Sequence, residues 1–401
     1  MAVPGAAAEE RRGRRAAGYL TPTRFLIRFA SRWRRKSTEA SVPLTSDRVA
    51  RVAALTANGG ARSDAPIKLS ICIPTYNFGR FIGETLESIL PQVEDGVEVV
   101  ILDGGSTDDT AAVVDAFKVV CPALRYERRE ERGGIDRDMA RTVELARGEY
   151  CWLFSSDDTM KPGAVREVLA QIESGLDVYI GGLTLCTYDM RPLRDQPILD
   201  VPPGTTFDLG RAADRHRYFE HAQTTTALFS FLGSMIFRKA RWDAVALDED
   251  FVGSCWAHVA RIFRLIPSGL RVEYLGRSYL WKRCDNDSFL DNGLVRRFAL
   301  TIDGYHRLAD TFFGHSSLEA RHIRRAVAAE FPASVLLYTK WISAAACEED
   351  RRLFERLVAT VYEDPSLRNR LHRGLYRIMP TPFKGLAARV SRVYAGADAT
   401  G

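Results

Sequence analysis

The chain has 401 residues, of which 46% are hydrophobic and 27% are charged, and its formal net charge is +5 at pH 7. These values are typical of a soluble globular protein with a sizeable core, and we expect no nucleic acid partner. Seven cysteines without a Cys-x-x-Cys pair indicate neither a disulfide framework nor a zinc site. No apolar run approaches the ~20 residues that a membrane span requires, and no signal-peptide pattern follows the basic start. We therefore expect a cytoplasmic protein.

Residues 1–64 form a predicted basic, partly disordered arm that contains one organised element. Thr21 and Pro22 suit the cap and the first residue of a helix. The apolar face of that helix carries Phe25, Phe29 and Trp33, and its basic flanks carry Arg24, Arg28 and Arg32. This pattern is typical of a helix that lies in a membrane interface. The alternatives are a helix packed on the protein's own body and a transit peptide.

The next part of the chain alternates between strand and helix patterns, which predicts an α/β fold. Its first strand, within residues 69–77, is apolar and closes on the polar turn Pro74-Thr75-Tyr76-Asn77. In open α/β sheets ligands bind beyond the carboxyl ends of the strands, although an ordinary core strand would show the same pattern. The other predicted elements are strands at 97–102, 124–126, 150–154 and 177–180, and helices at 81–90, 110–119, 135–146 and 162–172.

The second half of the chain begins irregularly and ends in predicted helices. Prolines between Pro192 and Pro203 indicate a long excursion over the surface, and order returns at 228–237. Apolar residues at three and four spacing then predict helices at 294–313, 317–343 and 348–362. The tail from Thr381 predicts one more basic amphipathic helix, with Leu386, Val390, Val393, Arg389 and Arg392.

A second polar turn follows the strand at 97–102 and is expected to open on the same sheet edge as the first. Asp103 stands at the strand end, and Gly104 and Gly105 behind it let backbone amides approach a ligand. A simple capped turn is the alternative, because Ser106 and Asp108 also suit helix caps.

The third turn, Ser155-Ser156-Asp157-Asp158, follows a fully apolar strand and is the candidate metal site. Adjacent carboxylates repel one another and are costly unless a cation lies near them. A few hard oxygen ligands suit Mg²⁺ or Mn²⁺ whose coordination is completed by substrate phosphates. The pair Asp157 and Asp158 therefore predicts a site for one of these ions, with a capping role for one aspartate as the alternative.

These turns, together with Arg-Gly-Glu-Tyr at 147–150 and Lys-Pro-Gly at 161–163, resemble the family 2 glycosyltransferases. The resemblance covers about residues 66–290 and implies the GT-A nucleotide-diphospho-sugar transferase fold, which has a Rossmann-like mixed sheet. We therefore divide the chain into a basic arm (1–64), a GT-A domain (65–290) and a helical C-terminal region (291–401).

The resemblance also implies roles for individual residues in binding a nucleotide-diphosphate sugar and a divalent cation, Mn²⁺ or Mg²⁺. Thr75 and Tyr76 would flank the base, and Asp103 would bind it. Arg137 would lie against the nucleotide or its diphosphate, and Asp157 with Asp158 would hold the metal. The complete implied set for nucleotide and cofactor is Pro74, Thr75, Tyr76, Asn77, Asp103, Arg137 and Asp157.

Two departures from the family pattern concern acidic residues. Ser155 stands where the usual Asp-x-Asp motif has its first acid. Cys255 and Trp256 align with the usual Glu-Asp pair that supplies the general base, and neither can take a proton from a sugar hydroxyl at neutral pH. The nearby candidates for this base are His258, Asp250 and Glu249. Neutral imidazole is the better base near pH 7, while a helix histidine that faces the core is the alternative for His258.

A narrower resemblance, to the abequosyltransferase-type subgroup, lies in segments 231–238, 253–259 and 286–289. It implies transfer of a sugar, of which a deoxyhexose is one candidate, to a glycan or lipid-linked saccharide in bacterial O-antigen-like polysaccharide synthesis. The family resemblance implies inversion at the anomeric carbon. With the two basic helices, we expect attachment to the anionic inner face of the cell membrane. A non-catalytic nucleotide- or glycan-binding module of the same fold is the alternative, and a dehydrogenase is disfavoured because no Gly-x-Gly-x-x-Gly follows the first strand.

Overall fold

The computed structural model describes residues 46–56, 66–343, 346–364 and 366–379. The membrane helices predicted in the arm (21–33) and in the tail (381–394) lie outside these residues. Within the described ranges, no helix has the length and hydropathy of a membrane span.

The first half of the described chain follows the predicted alternation closely. Every helix and strand predicted between residues 69 and 172 is confirmed, with bounds that differ by at most two residues. Helix α1 in the arm and the short strand β5 were not predicted. The elements are α1 (Ser46–Thr56), β1 (Leu69–Thr75), α2 (Gly79–Ile89), β2 (Val97–Asp103), α3 (Thr110–Val120), β3 (Leu124–Arg128), α4 (Ile135–Leu145), β4 (Tyr150–Leu153), β5 (Thr159–Met160) and α5 (Ala164–Ile172).

The second half has more regular structure than predicted. The segment expected to be an irregular excursion contains two short strands and a helix, and the strand predicted at 177–180 continues to residue 186. Its elements are β6 (Val178–Cys186), β7 (Pro192–Asp195), β8 (Thr205–Asp208), α6 (Ala212–His221), β9 (Met235–Arg238), α7 (Lys239–Asp243), α8 (Ala257–Leu265) and β10 (Arg271–Arg283). The C-terminal helices are α9 (Leu294–Phe313), α10 (Leu318–Glu330), α11 (Ala333–Ile342), α12 (Glu348–Val361) and α13 (Leu367–Ile378).

The single helix predicted at 317–343 is wrong. The structure has two helices there, because Pro332 precedes α11 as its cap and α10 ends at Glu330. Proline has no N–H for a helical hydrogen bond, and its ring clashes with the preceding turn. The apolar spacing continues on both sides of the break, which is why it suggested one helix.

One ten-stranded mixed sheet organises the fold. Eight of its strands follow the order β3-β2-β1-β4-β9-β6-β10-β5, while β7 pairs with β6 and β8 pairs with β10 off this path. The strands β3, β2, β1 and β4 are parallel, whereas β9 runs antiparallel to β4 and β6. Thr75 is paired with Asp103 across β1 and β2, and Cys72 is paired with Leu153 across β1 and β4. The three polar turns of the sequence therefore leave the sheet at one edge, as predicted.

The two faces of the sheet bury separate cores. Ile71 and Ile73 of β1 face the core that contains residues of α2, α3 and α5. Cys72 faces the other core, which contains residues of α4 and α8 and extends to the helices α9 to α12. Because these C-terminal helices share a core with the sheet, they support the face that carries α4. The boundary at residue 290 stays a prediction.

A buried carboxylate joins β1, β2 and the turn before β4 at the opposite end of the sheet from the polar turns. Glu98 of β2 is 1% exposed and accepts the Ser70 hydroxyl at 2.8 Å. It also accepts the backbone N–H of Arg147 at 2.7 Å and both Nε and Nη2 of its guanidinium at 2.9 and 2.7 Å. Gly148 donates its N–H to the same Ser70 hydroxyl, and a Cβ there would lie 2.7 Å from the Ser70 nitrogen. Arg147 and Gly148 of the Arg-Gly-Glu-Tyr motif therefore have a structural role, because they bond the turn before β4 to β1 and β2.

We expect Glu98→Gln to lower the free energy of unfolding by about 2 kcal/mol at pH 7. Burial opposes ionisation of Glu98, but the N–H and guanidinium of Arg147 outweigh burial and hold its pKa below the usual value. A carboxylate with a lowered folded pKa contributes stability above its unfolded pKa of about 4.3 and loses it as the pH falls below that value. Urea denaturation at pH 7 and pH 3.5 measures this loss. The exposed Glu144→Gln is the matched control, and an equal deficit at both pH values would contradict the expectation.

Candidate active site

The turns after β1 and β2 are joined by hydrogen bonds at the shared edge of the sheet. The N–H of Gly104 donates to the carbonyl of Thr75 at 2.9 Å, and the N–H of Asn77 donates to Oγ of Ser106 at 2.8 Å. Asn77 has a φ of 58° and accepts the N–H of Thr107 on Oδ1 at 2.8 Å. Asparagine tolerates this left-handed backbone better than most residues do. The two turns, residues 74–77 and 103–107, therefore form one surface, which we call the donor wall.

An aromatic ring and nearby arginines stand on the donor wall. Pro74 is buried beneath it, and Tyr76 lies half-buried with the guanidinium carbon of Arg132 at 4.2 Å from its ring centre. Arg128 donates to the carbonyl of Ser106 at 2.6 Å. Arg128 ends β3 and Arg132 lies between β3 and α4, and neither was among the predicted site residues. The arginine cluster at 128–132 was the available signal, because guanidinium groups bind phosphates well.

Asp103 is fully enclosed at the end of β2, and both of its carboxylate oxygens accept hydrogen bonds. Oδ1 accepts the N–H of Ser106 at 2.7 Å, and Oδ2 accepts the hydroxyl of Tyr126 at 2.8 Å. Burial, together with this bond to Asp103, raises the pKa of Tyr126 above its usual value. Asp103 therefore holds the turn in shape, and its contact with a nucleobase stays a prediction.

The third turn places Asp157 and Asp158 beside hydrogen-bond donors at the end of β10 and in the loop after it. Asp157 accepts the Ser155 hydroxyl on Oδ1 and the Asn286 amide on Oδ2, the latter at 2.7 Å. Oδ1 of Asp158 accepts the backbone N–H of Arg283 at 2.7 Å. Ser155, at the position where the family resemblance would place an acid, is thus a hydrogen-bond donor to Asp157. The contributions of Arg283 and Asn286 were missed, because they lie 125 and 129 residues further along the chain.

The acidic pair is buried, and a bound cation would lower the free-energy cost of its two negative charges. Asp157 and Asp158 are 9% and 2% exposed, and burial with the charge of Asp157 raises the pKa of Asp158 well above its usual range. Among the described residues, no group of three or more His, Cys, Asp or Glu side chains could hold a metal ion. The pair nevertheless fits a Mg²⁺ or Mn²⁺ ion that takes its other ligands from phosphates, because such ions need few protein carboxylates.

Comparison with known proteins connects this edge of the sheet with sugar transfer. The model of the family described as Glycosyl transferase family 2 matches residues 70–239, which include all three turns. The chain carries a family 2 glycosyltransferase domain. Abequosyltransferase RfbV of Salmonella typhimurium is 28% identical over 290 residues, which are 71% of this chain and 86% of RfbV. Glycosyltransferase GlyG of Streptococcus pneumoniae is 32% identical over 114 residues, which are 28% of this chain and 38% of GlyG. The protein is a glycosyltransferase similar to the abequosyltransferase subgroup, as predicted.

A solved structure confirms the GT-A fold of this glycosyltransferase. Residues 1–349 of TarS from S. aureus, in complex with UDP-GlcNAc, align with a TM-score of 0.52 at 16% identity. The alignment covers 83% of this chain and 91% of that chain. The mixed sheet, its surrounding helices and the helical C-terminal region therefore form a GT-A-like architecture.

The first turn of α4 ties the glycosyltransferase site to the loop before α8. Asp136 is 3% exposed, and its carboxylate accepts the N–H groups of Gly253, Cys255 and Ala257 at 2.8, 3.0 and 3.1 Å. This fixes Cys255, a non-glycine residue, at a φ of 68°. Asp136 was not predicted as a site residue, because its three partners are remote in sequence and donate through their backbone.

Cys255 and Trp256, which the family resemblance aligns with the usual acid pair, contribute to packing. Burial raises the pKa of Cys255 to about 12. Trp256 is 7% exposed and donates its indole N–H to the carbonyl of Leu300 in α9 at 2.7 Å. Neither side chain can therefore take a proton at neutral pH, as the sequence indicated.

The three candidate bases have very different surroundings. His258 is 4% exposed, its Nε2 lies 3.1 Å from the carbonyl oxygen of Phe229, and burial lowers its pKa. This placement favours the alternative interpretation, a histidine that faces the core. Glu249 and Asp250 are exposed on a short 3-10 turn. Glu249 accepts both Nη1 and Nη2 of Arg137 at 3.1 and 2.7 Å, so Arg137, predicted to lie against the nucleotide, is paired with a candidate base.

Proposed function

We propose that this glycosyltransferase moves a sugar from a nucleotide-diphosphate sugar to a hydroxyl of a glycan or lipid-linked saccharide in bacterial surface polysaccharide synthesis. The buried pair Asp157 and Asp158 beside the donor wall carries the proposal. Hydrogen bonds fix the two adjacent carboxylates, and such a pair can bind a cation that also binds a diphosphate. The similarity to abequosyltransferase RfbV over most of both chains supports a deoxyhexose donor and an O-antigen-like product.

The donor would lie across the donor wall with its diphosphate at the acidic pair. Asp157 and Asp158 would hold Mg²⁺ or Mn²⁺, which when bound neutralises the charge of the leaving nucleoside diphosphate. The Tyr76 ring offers a face on which a base can stack, and the Arg132 guanidinium above it can bind a base or a phosphate. These residues bind and orient the donor so that the bond to the diphosphate is exposed to the acceptor.

Transfer with inversion requires a base for the acceptor proton. The acceptor oxygen attacks the anomeric carbon while the bond to the diphosphate breaks, and its proton passes to the protein. We assign this proton to Glu249, because its carboxylate is exposed and Arg137 fixes both of its oxygens. His258, in contrast, is enclosed and bonded to a backbone carbonyl.

The first test concerns the cation. Asp157→Asn should lower turnover by roughly a hundredfold or more with the fold intact. The variant lacks a carboxylate that would hold the metal, and the metal would stabilise the leaving group. Hydrolysis and transfer of labelled nucleotide sugars with Mn²⁺, repeated in excess EDTA, measure this. The exposed Asp115→Asn on α3 is the matched control.

Two outcomes would count against the cation or the activity. Full turnover in EDTA would remove the metal from the mechanism. Nucleotide binding by the wild type without hydrolysis or transfer of any donor would favour the alternative function, a nucleotide- or glycan-binding module.

The second test separates the candidate bases. Glu249→Gln should lower kcat by roughly a hundredfold at unchanged melting temperature, because an exposed ion pair contributes about 0 to 1 kcal/mol. His258→Phe should lower the melting temperature, since it removes a buried hydrogen bond worth about 1 kcal/mol, while folded molecules keep their kcat. Kinetics and thermal denaturation of both variants measure these effects. A hundredfold loss of kcat in His258→Phe at unchanged melting temperature would return the role to the imidazole.

We further propose peripheral attachment to the inner face of the cell membrane. Its support is the sequence pattern of two predicted basic helices, which lie outside the described residues and have aromatic or aliphatic positions flanked by arginines. Each arginine near an anionic surface contributes about 1 kcal/mol, and two weak attachments together bind far better than one.

The attachment predicts a charge-dependent partition. The full-length protein should sediment with phosphatidylglycerol vesicles, not with phosphatidylcholine vesicles, and should be released by high salt. Changing Arg24, Arg28 and Arg32 to Glu should weaken sedimentation by about a hundredfold or more, because three attractive charges are lost. The matched control changes three exposed arginines of the described body, Arg166, Arg352 and Arg370. Equal partition of both variants would show that the arm does not bind the membrane.

A further inference from the structure

Asp138, in the first turn of α4, is a buried carboxylate that the proposed mechanism does not use. It is 4% exposed, and within the described part of the chain its Oδ1 has no hydrogen-bond partner. Arg129 forms an ion pair with it at 3.6 Å, which is beyond hydrogen-bond distance. A buried acceptor that lacks a donor costs free energy, so its presence in a site points to a ligand that donates.

The carboxylate of Asp138 lies against the donor wall. A Cβ built on Gly104 would be 2.5 Å from Oδ2 of Asp138 and 3.6 Å from the carbonyl oxygen of Thr75. Only a glycine at this position lets the carboxylate approach so closely. Thr75 is 4% exposed, and its hydroxyl is a second buried group without a hydrogen-bond partner among the described residues. Oδ2 of Asp138 thus borders the donor wall at Gly104, while the unsatisfied Oδ1 lies on the side of Gly133 and Arg129.

The surroundings of Asp138 differ from those of Asp103 on the same wall. Asp103 accepts the Ser106 N–H and the Tyr126 hydroxyl, so each of its oxygens already has a donor. Burial raises the pKa of Asp138, and the charges of Arg129 and Arg132 only partly offset this. The carboxylate that lacks donors on this wall is therefore Asp138.

We propose that Asp138 reads the nucleobase of the donor, with its carboxylate accepting an N–H from the edge of the base. The inference rests on the proposed function and adds a specificity residue to it. A negative carboxylate repels the diphosphate and so suits the nucleoside end of the donor. The ring of Tyr76, the residue after Thr75, offers the stacking face that a base needs. A carboxylate only accepts hydrogen bonds, so it discriminates bases by where they carry an N–H.

The test compares nucleoside diphosphates on the full-length protein and on Asp138→Asn. Isothermal titration with UDP, CDP, GDP and ADP in the presence of Mn²⁺ gives four dissociation constants for each protein. The amide both donates and accepts, so the variant should change the ratios between nucleotides by about tenfold or more, with the largest loss for the nucleotide that the wild type prefers. Binding of inorganic pyrophosphate with Mn²⁺ should not change. Glu144→Gln, an exposed change on the same helix, should leave all constants unaltered.

A second measurement separates recognition from a structural role. Removing an unsatisfied buried charge should leave the melting temperature of the nucleotide-free protein equal or higher, whereas a structural carboxylate would lower it. Asp138→Ser, which removes the carboxylate without adding an amide, should also change the nucleotide ratios and serves if the asparagine variant fails to fold.

The outcomes distinguish this inference from the proposed function. A loss by one factor for all four nucleotides would indicate a ribose contact or a structural role and would overturn nucleobase reading. Unchanged constants would overturn it as well. If the wild type binds no nucleoside diphosphate at all, the proposed function fails, and this inference fails with it.

Discussion

The repulsion between Asp157 and Asp158 is the constraint around which the site is built. Two neighbouring carboxylates at the end of a buried strand cannot both lose water without donors or cations nearby. The backbone N–H of Arg283 and the amide of Asn286 supply donors, and Nε of the Arg283 guanidinium binds the Asp157 carbonyl at 2.9 Å. Both residues depend on β10, whose thirteen residues run beside β6 and reach β5 directly after the acidic pair. Strand β10 and the loop after it thus hold Asp157 and Asp158, which follow β4, in place.

The first turn of α4 connects the parts of the site that the sheet does not. Asp136 closes the loop before α8, Arg137 pairs with Glu249, and Asp138 lies against the donor wall. Three consecutive residues at the start of a helix point in different directions, because each is rotated about 100° from the last. A single helix terminus therefore sets the distance between the donor wall and the acidic 3-10 turn.

At the positions where the family resemblance would place an acid pair, the chain packs against the C-terminal helices. Trp256 lies 4.9 Å from Tyr305 between ring centres, and its indole N–H bonds to α9. A carboxylate at this buried position would need donors, whereas an aromatic ring gains from burial. Trp256 and the C-terminal helix α9 are thus parts of one packed arrangement. Proton acceptance, as we propose it, falls to the neighbouring exposed turn.

The sequence by itself determined the strands and helices from residue 69 to 172, the three polar turns and the family, because apolar periodicity and turn residues act over a few positions. It did not reveal the strands within the excursion, where short edge strands such as β7 are exposed and lack an apolar pattern. The tertiary structure alone decided which groups satisfy each acid. Asp136 finds its donors 117 to 121 residues away, and Asp157 finds Asn286 at a separation of 129. Such contacts follow from strand order and backbone geometry, and local residue patterns carry no record of them.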